Sequence, residues 1–254
     1  MASTEPKPLP DATLESWDFE ALADRRARDP EYNAQRLKAR RKLLTWGKAA
    51  QKRCKAETEL ALDVRTSIHN PHAFNGNSVR RLWVYMVRAK AEKTRLRKVL
   101  GRDLAKDLDS AYRNAYLTIA LEPDRLEVGL RIHADAWYDG RNLANRFQAD
   151  GPAQLLALLR TLDGFQLRLH DWKGEWPCGE DLTPEKLEDY FKHWIPGEHH
   201  LIVDRRFPVP SDPAAREAAM APEVPGMLQD ELLRLVPLYR YAVWSEESDH
   251  LFSK

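Results

Sequence analysis

Tyr116-Leu117-Thr118-Ile119-Ala120-Leu121, then Glu122-Pro123-Asp124-Arg125, then Leu126-Glu127-Val128-Gly129-Leu130-Arg131-Ile132: this stretch decides the fold. In the second half Leu126, Val128, Leu130 and Ile132 alternate with Glu127, Gly129, Arg131 and His133. Successive side chains of a strand point to opposite faces, so this alternation predicts a strand with one apolar and one more solvated side. Pro-Asp between the two runs favours a tight reversal, because proline presets one turn dihedral and aspartate bonds its own backbone. The stretch therefore reads as a β-hairpin.

Working outward, Leu82-Trp83-Val84-Tyr85-Met86-Val87 has no alternation and fits a central strand buried on both faces. Phe165, Leu167 and Leu169 alternate with Gln166, Arg168 and His170, and Leu201-Ile202-Val203 is a further short strand. Helical spacing appears from Leu14 to Arg28, from Lys90 to Leu108 and from Arg141 to Ala149. It recurs from Pro152 to Leu162, from Thr183 to about Trp194 and from Met227 to about Val236. The longest helical pattern runs from Glu31 to about Arg65, with Ala39, Leu43, Trp46, Ala50, Cys54, Ala61 and Val64 along one line. Gly47 lies inside it and suggests a bend or break. The fold class expected is α+β, a mixed α/β sheet of about five strands covered by helices. Residues 1–13 read as a flexible tail, 14–65 as a basic helical extension and 66–254 as the α+β domain.

The 254 residues carry 40 Lys+Arg and 39 Asp+Glu, a net charge of +1 that hides a strong segregation. Residues 1–33 sum to −4, residues 34–102 to +15 and residues 103–254 to −10. Such a dipole points to polyanion binding or self-complementary docking. The longest apolar run, Leu155 to Leu159, is far short of the roughly 20 residues a bilayer span needs. Met1 to Lys7 lacks the pattern of a secretory signal, and two cysteines without partner spacing fit a reducing cytoplasm, so the expected location is cytoplasmic.

Familiar catalytic signatures are absent: no Gly-x-Gly-x-x-Gly, no Walker-type Gly-Lys-Ser/Thr, no Gly-x-Ser-x-Gly and no His-Glu-x-x-His. No motif asks for a cofactor, and no metal ligand set is predicted. The one polar constellation follows the hairpin: His133, Asp135, Asp139, Asn142, Asn145 and Arg146. An imidazole beside carboxylates at a strand-to-helix junction can manage a proton or bind a divalent ion. His133 and Asp135 would be ligands or the acid/base pair, Asp139 would complete the site and Arg146 would steady an anionic substrate. That gives an alternative function, a metal-assisted hydrolase. The plainer reading has Asp139 capping the helix, His133 bonded locally and Arg146 paired with an acid. His69/His72 and His199-His200 are weaker still, the second pair because adjacent strand residues diverge.

The basic segment is the stronger feature. From Arg36 to Lys55 there are nine Lys/Arg and no Asp/Glu, so salt bridging within the helix is missing. Ser78 to Arg102 repeats the bias, with nine basic residues against Glu92. Charge runs are usually solvated faces, yet cations spaced along a helix can also track phosphates. The function expected is a binding or accessory protein whose Lys38, Arg41, Lys48, Lys52 and Lys55 engage nucleic acid or an acidic protein partner. No nucleic-acid module is recognisable, so base-specific readout has no support.

Overall fold

A computed structural model describes residues 12–73, 77–105, 108, 110–169 and 174–252. The chain is α+β. Its strands form one seven-stranded antiparallel sheet rather than a mixed one, and two more strands are present than the five expected. In chain order they are β1 (Leu62–Thr66), β2 (Leu82–Arg88), β3 (Ala115–Glu122), β4 (Arg125–Ile132), β5 (Gln166–Leu169), β6 (Glu175–Pro177) and β7 (Leu201–Pro208). Across the sheet the order is β1-β2-β3-β4-β7-β5-β6. The hairpin lies where the alternation puts it, with Leu121 opposite Leu126 and Leu117 opposite Leu130. The run at 82–87 is β2, one strand in from the edge rather than at the centre.

Helices cover one face. They are α1 (Ser16–Glu20), α2 (Asn33–Thr58), α3 (Lys90–Leu104), α4 (Trp137–Asp150), α5 (Ala153–Arg160), α6 (Pro184–His193), α7 (Pro213–Ala219), α8 (Val224–Arg234) and α9 (Val236–Ala242). Leu82, Val84 and Met86 of β2, Leu117 and Ile119 of β3, Val128 and Leu130 of β4 and Val203 of β7 share one buried core with Leu43 and Trp46 of α2 and Leu228 and Leu232 of α8. The helical N-terminal segment therefore packs into the same apolar core as the sheet. The expected tail falls mostly on residues 1–11, outside the described residues. Its end at Ala12 is buried, and the Ala12 carbonyl accepts a hydrogen bond from Trp46 Nε1 at 2.9 Å.

Three local expectations need correction. The helix expected to reach Arg65 stops at Thr58, because Glu59 adopts a left-handed conformation (φ 59°) that ends it without glycine. Residues 62–66 instead form the edge strand β1, antiparallel to β2. The helix expected from Lys90 to Leu108 is broken at Gly101, whose φ of 77° lies outside helical space. Gly47, expected to bend α2, sits in an unbroken helix and allows close contact with the sheet: a Cβ there would lie 2.3 Å from Val84 Cγ2. Gly47→Ala is therefore expected to destabilise the chain. An overpacking cost of about 1–3 kcal/mol outweighs the helix-propensity gain of about 1 kcal/mol. Urea unfolding checks this, and the loss should shrink in a Val84→Ala background.

The reverse face of the sheet is not the solvated surface expected around Glu127. Glu127 and Asp204 are fully buried against Arg81, just before β2, Arg131 of β4 and Arg168 of β5. Arg81 donates to both Glu127 oxygens at 2.7 and 3.0 Å, Arg131 to Glu127 at 2.6 Å, and Arg168 to Asp204 at 2.7 Å. Burial alone would raise the Glu127 carboxyl, but the Arg131 and Arg81 guanidinium charges outweigh it and hold it far below the usual carboxylate range. A carboxyl depressed in the folded state stabilises above its unfolded value of about 4.3, and that contribution is lost as pH falls below it. The thermal midpoint should therefore drop on acidification below about pH 4, and more steeply than in Glu127→Gln. Equal slopes in the two proteins would count against the ion cluster as an acid-sensitive element.

Candidate functional site

The nine cations of α2 divide cleanly by direction. Arg36 is fully buried and donates to the carbonyls of His69, Ala21, Arg26 and Asp29 and to Asn33 Oδ1. Lys42 is buried against Asp18 at 2.7 Å. Arg53 pairs with Glu57 and, across to α8, with Asp230. Arg40 donates to Thr66 Oγ1. The other five are Lys38, Arg41, Lys48, Lys52 and Lys55, and all five are exposed.

Helical geometry groups those five. At about 100° per residue they fall within an arc of about 100°, and at 1.5 Å rise the stripe is about 25 Å long. The opposite side of the helix holds Ala39, Leu43, Trp46, Ala50 and Cys54 in the core. The stripe is thus a convex ridge fixed to the sheet. Among the described residues, no acidic side chain pairs with any of the five. Nearby, burial lowers the His69 imidazole pKa, and Arg40, Arg36 and Arg41 lower it further. The N-terminal end of α2 therefore carries a positive field that disfavours added positive charge.

The strand-to-helix junction is dispersed by its own bonds. Asp139 lies inside α4 rather than capping it and is fully buried. It pairs with the Arg88 guanidinium and accepts from the backbone N–H of Ala115 at 2.8 Å and of Trp244 at 2.9 Å. Asn142 accepts from the His250 N–H and Asn145 donates to the His250 carbonyl, so both tie α4 to the C-terminal segment. Arg146 donates to the Tyr241 carbonyl, pairs with Asp150 and lies 3.8 Å from the Tyr241 ring centroid. Only His133 and Asp135 remain adjacent, with Nδ1 3.5 Å from Oδ2, and the His133 Nδ1 accepts from the Asp135 N–H. The Tyr112 and His200 rings lie tilted against His133, with centroids 4.6 and 4.0 Å away.

Among the described residues no cluster of three or more His, Cys, Asp or Glu could hold a metal ion. Burial pushes the Cys54 thiol up to about 11 and the Cys178 thiol up to about 12, so neither is an activated nucleophile. No described helix is long and apolar enough to cross a membrane. The arginine–carboxylate lattice on the reverse face escaped the sequence reading. Its signal was present in Glu127 and Arg131 on one side of β4, but the partners Arg81 and Asp204 are 46 and 77 positions from Glu127.

The fold and the ridge define an α+β protein with a helical layer on its sheet and a basic stripe that has no acidic partner among the described residues. No protein-family model matches the chain, and no curated protein matches it.

Proposed function

We propose that this chain is a binding or accessory protein that engages a polyanion, either a nucleic-acid backbone or an acidic protein surface, through the outer ridge of α2. One observation carries the reading: five neighbouring exposed cations share a ridge without an acidic partner among the described residues. A solvated helix face ordinarily interleaves both signs, which lowers its repulsion. Here the like charges are retained on a helix whose other side is locked in the core, so the ridge is pre-organised for a ligand that supplies many negative charges.

Lysines and arginines spaced along an exposed helix face meet phosphates, and no base-reading module is recognisable, so the contact proposed is with the backbone and not base edges. Affinity that depends on charge and little on sequence is the expected behaviour. The test replaces Lys38, Arg41, Lys48, Lys52 and Lys55 by glutamine together. The changed side chains are solvent-facing, so the chain should keep its fold while losing its polyanion. Unchanged affinity for duplex, single-stranded RNA and acidic protein ligands would reject the ridge. The ultraviolet absorbance ratio of untreated material, before and after nuclease, separates the nucleic-acid from the protein version.

A further inference from the structure

The sheet ends in β6 on one side and in β1 on the other. β6 is three residues long and finishes in proline, which makes it a poor template for another strand. β1 is longer, Leu62-Asp63-Val64-Arg65-Thr66, and its register fixes which way its main chain points. The Ser67 N–H donates to the Trp83 carbonyl at 2.9 Å, so the two residues form a hydrogen-bonded pair at the end of the β1–β2 ladder. Such pairs alternate along an antiparallel ladder. Arg65 and Asp63 therefore bond β2, while Leu62, Val64 and Thr66 turn their N–H and C=O groups outward. Among the described residues only one of those outward groups meets a partner, the Leu62 carbonyl, which accepts from Gln51 Nε2 of α2.

The surroundings of the edge are cationic. Gln51 reaches Leu62 while Arg40, eleven positions earlier, donates to Thr66 Oγ1 at 2.7 Å, so α2 runs antiparallel along β1. Lys48 and Lys55 lie three positions before Gln51 and four after it, hence on its side of the helix, and both are exposed. Neither has an acidic partner among the described residues. A strand added outside β1 would run alongside these two ammonium groups. A second copy, paired antiparallel about Val64, would bring the Lys48 and Lys55 of both copies to one side of the joined sheet, where like charges repel. A segment carrying carboxylates gains where a second copy loses.

We infer that β1 is a docking edge for an extended, acidic peptide segment. The segment adds a strand to the sheet by bonding the main chain of Val64 and Thr66, and its carboxylates meet Lys48 and Lys55. The acidity of the partner rests on the polyanion reading, whereas the pairing rests on backbone groups that reading does not use.

The probe is a capped peptide of about seven residues alternating glutamate and threonine, the length of β1 with one residue to spare at each end. Amide hydrogen exchange of the full chain reads the pairing. Peptide at about ten times its Kd should slow the Val64 and Thr66 amides about tenfold, because only about a tenth of the chain is left free. The same peptide methylated at every backbone nitrogen keeps its charge but cannot approach as a strand, and should slow neither amide. Lys48→Gln with Lys55→Gln should weaken the glutamate peptide by about threefold to tenfold, the worth of two exposed ion pairs. Binding of the glutamate peptide without slowing at Val64 and Thr66 overturns the edge and leaves the ridge reading standing. Slowing at those two amides in a chain that binds no duplex supports the edge while the nucleic-acid version of the ridge fails. Equal binding of a lysine and threonine peptide overturns the inference, and so does self-association of the chain that protects the same two amides without peptide.

Discussion

Affinity for a duplex probe is expected to fall by about 500-fold as salt rises from about 50 to about 200 mM, if all five ridge cations each meet a phosphate. The figure follows from counterion release, with a slope of about −4.5 in log affinity against log salt for five contacts. A single-stranded probe should show a slope of about −3.5 and a loss of about 130-fold over the same range. Each single replacement along Lys38, Arg41, Lys48, Lys52 and Lys55 should lower the duplex slope by about 1, whatever the sequence of the probe. Titrations at several salt concentrations, on two unrelated sequences, read this directly. A slope near zero, or one insensitive to the five replacements, would remove nucleic acid from the proposal and leave an acidic protein surface.

The largest effect on stability is expected at Asp139. Asp139→Ala strips the Arg88 guanidinium of its carboxylate inside the core and leaves the Ala115 and Trp244 N–H groups without their acceptor. Breaking a buried ion pair from one side costs about 3–5 kcal/mol, most of it the uncompensated charge that remains. Chemical unfolding should show that loss, and Asp139→Asn should recover part of it by restoring an acceptor. Had Asp139 served the hydrolase read from the sequence, the same variant would lose activity at unchanged stability. Its bonds to β2, β3 and the C-terminal segment argue for the unfolding outcome.

What could be read from the sequence follows from how local each signal was. The 115–132 hairpin declared itself because both strands and the turn between them lie within eighteen residues and obey one period. β1 did not, because Val64 falls in phase with the helical line through Ala39 and Trp46, and because Glu59 takes the left-handed conformation without glycine to announce it. Of the eight residues of β7 only Leu201, Ile202 and Val203 have a strand-like pattern, since Asp204, Arg205 and Arg206 look like a solvated loop. Their acceptance in a strand rests on partners from β4, β5 and α8: Arg131 and Arg168 for Asp204, Glu127 for Arg206 and Glu231 for Arg205. The ridge cations were visible as a run. Which of the nine face inward depends on Asp18, Asp230 and a set of backbone carbonyls that no spacing rule ties to α2.

Three inward rungs of α2 join it to the segment that precedes it: Trp46 to Ala12, Lys42 to Asp18, and Arg36 to the carbonyls of Ala21, Arg26 and Asp29. The rungs sit on one helix and address points spread over eighteen residues, so none can open far without loading the next. Residues 12–29 and α2 therefore constitute a single cooperative unit, whose amides should share one opening free energy instead of fraying from the N-terminal side.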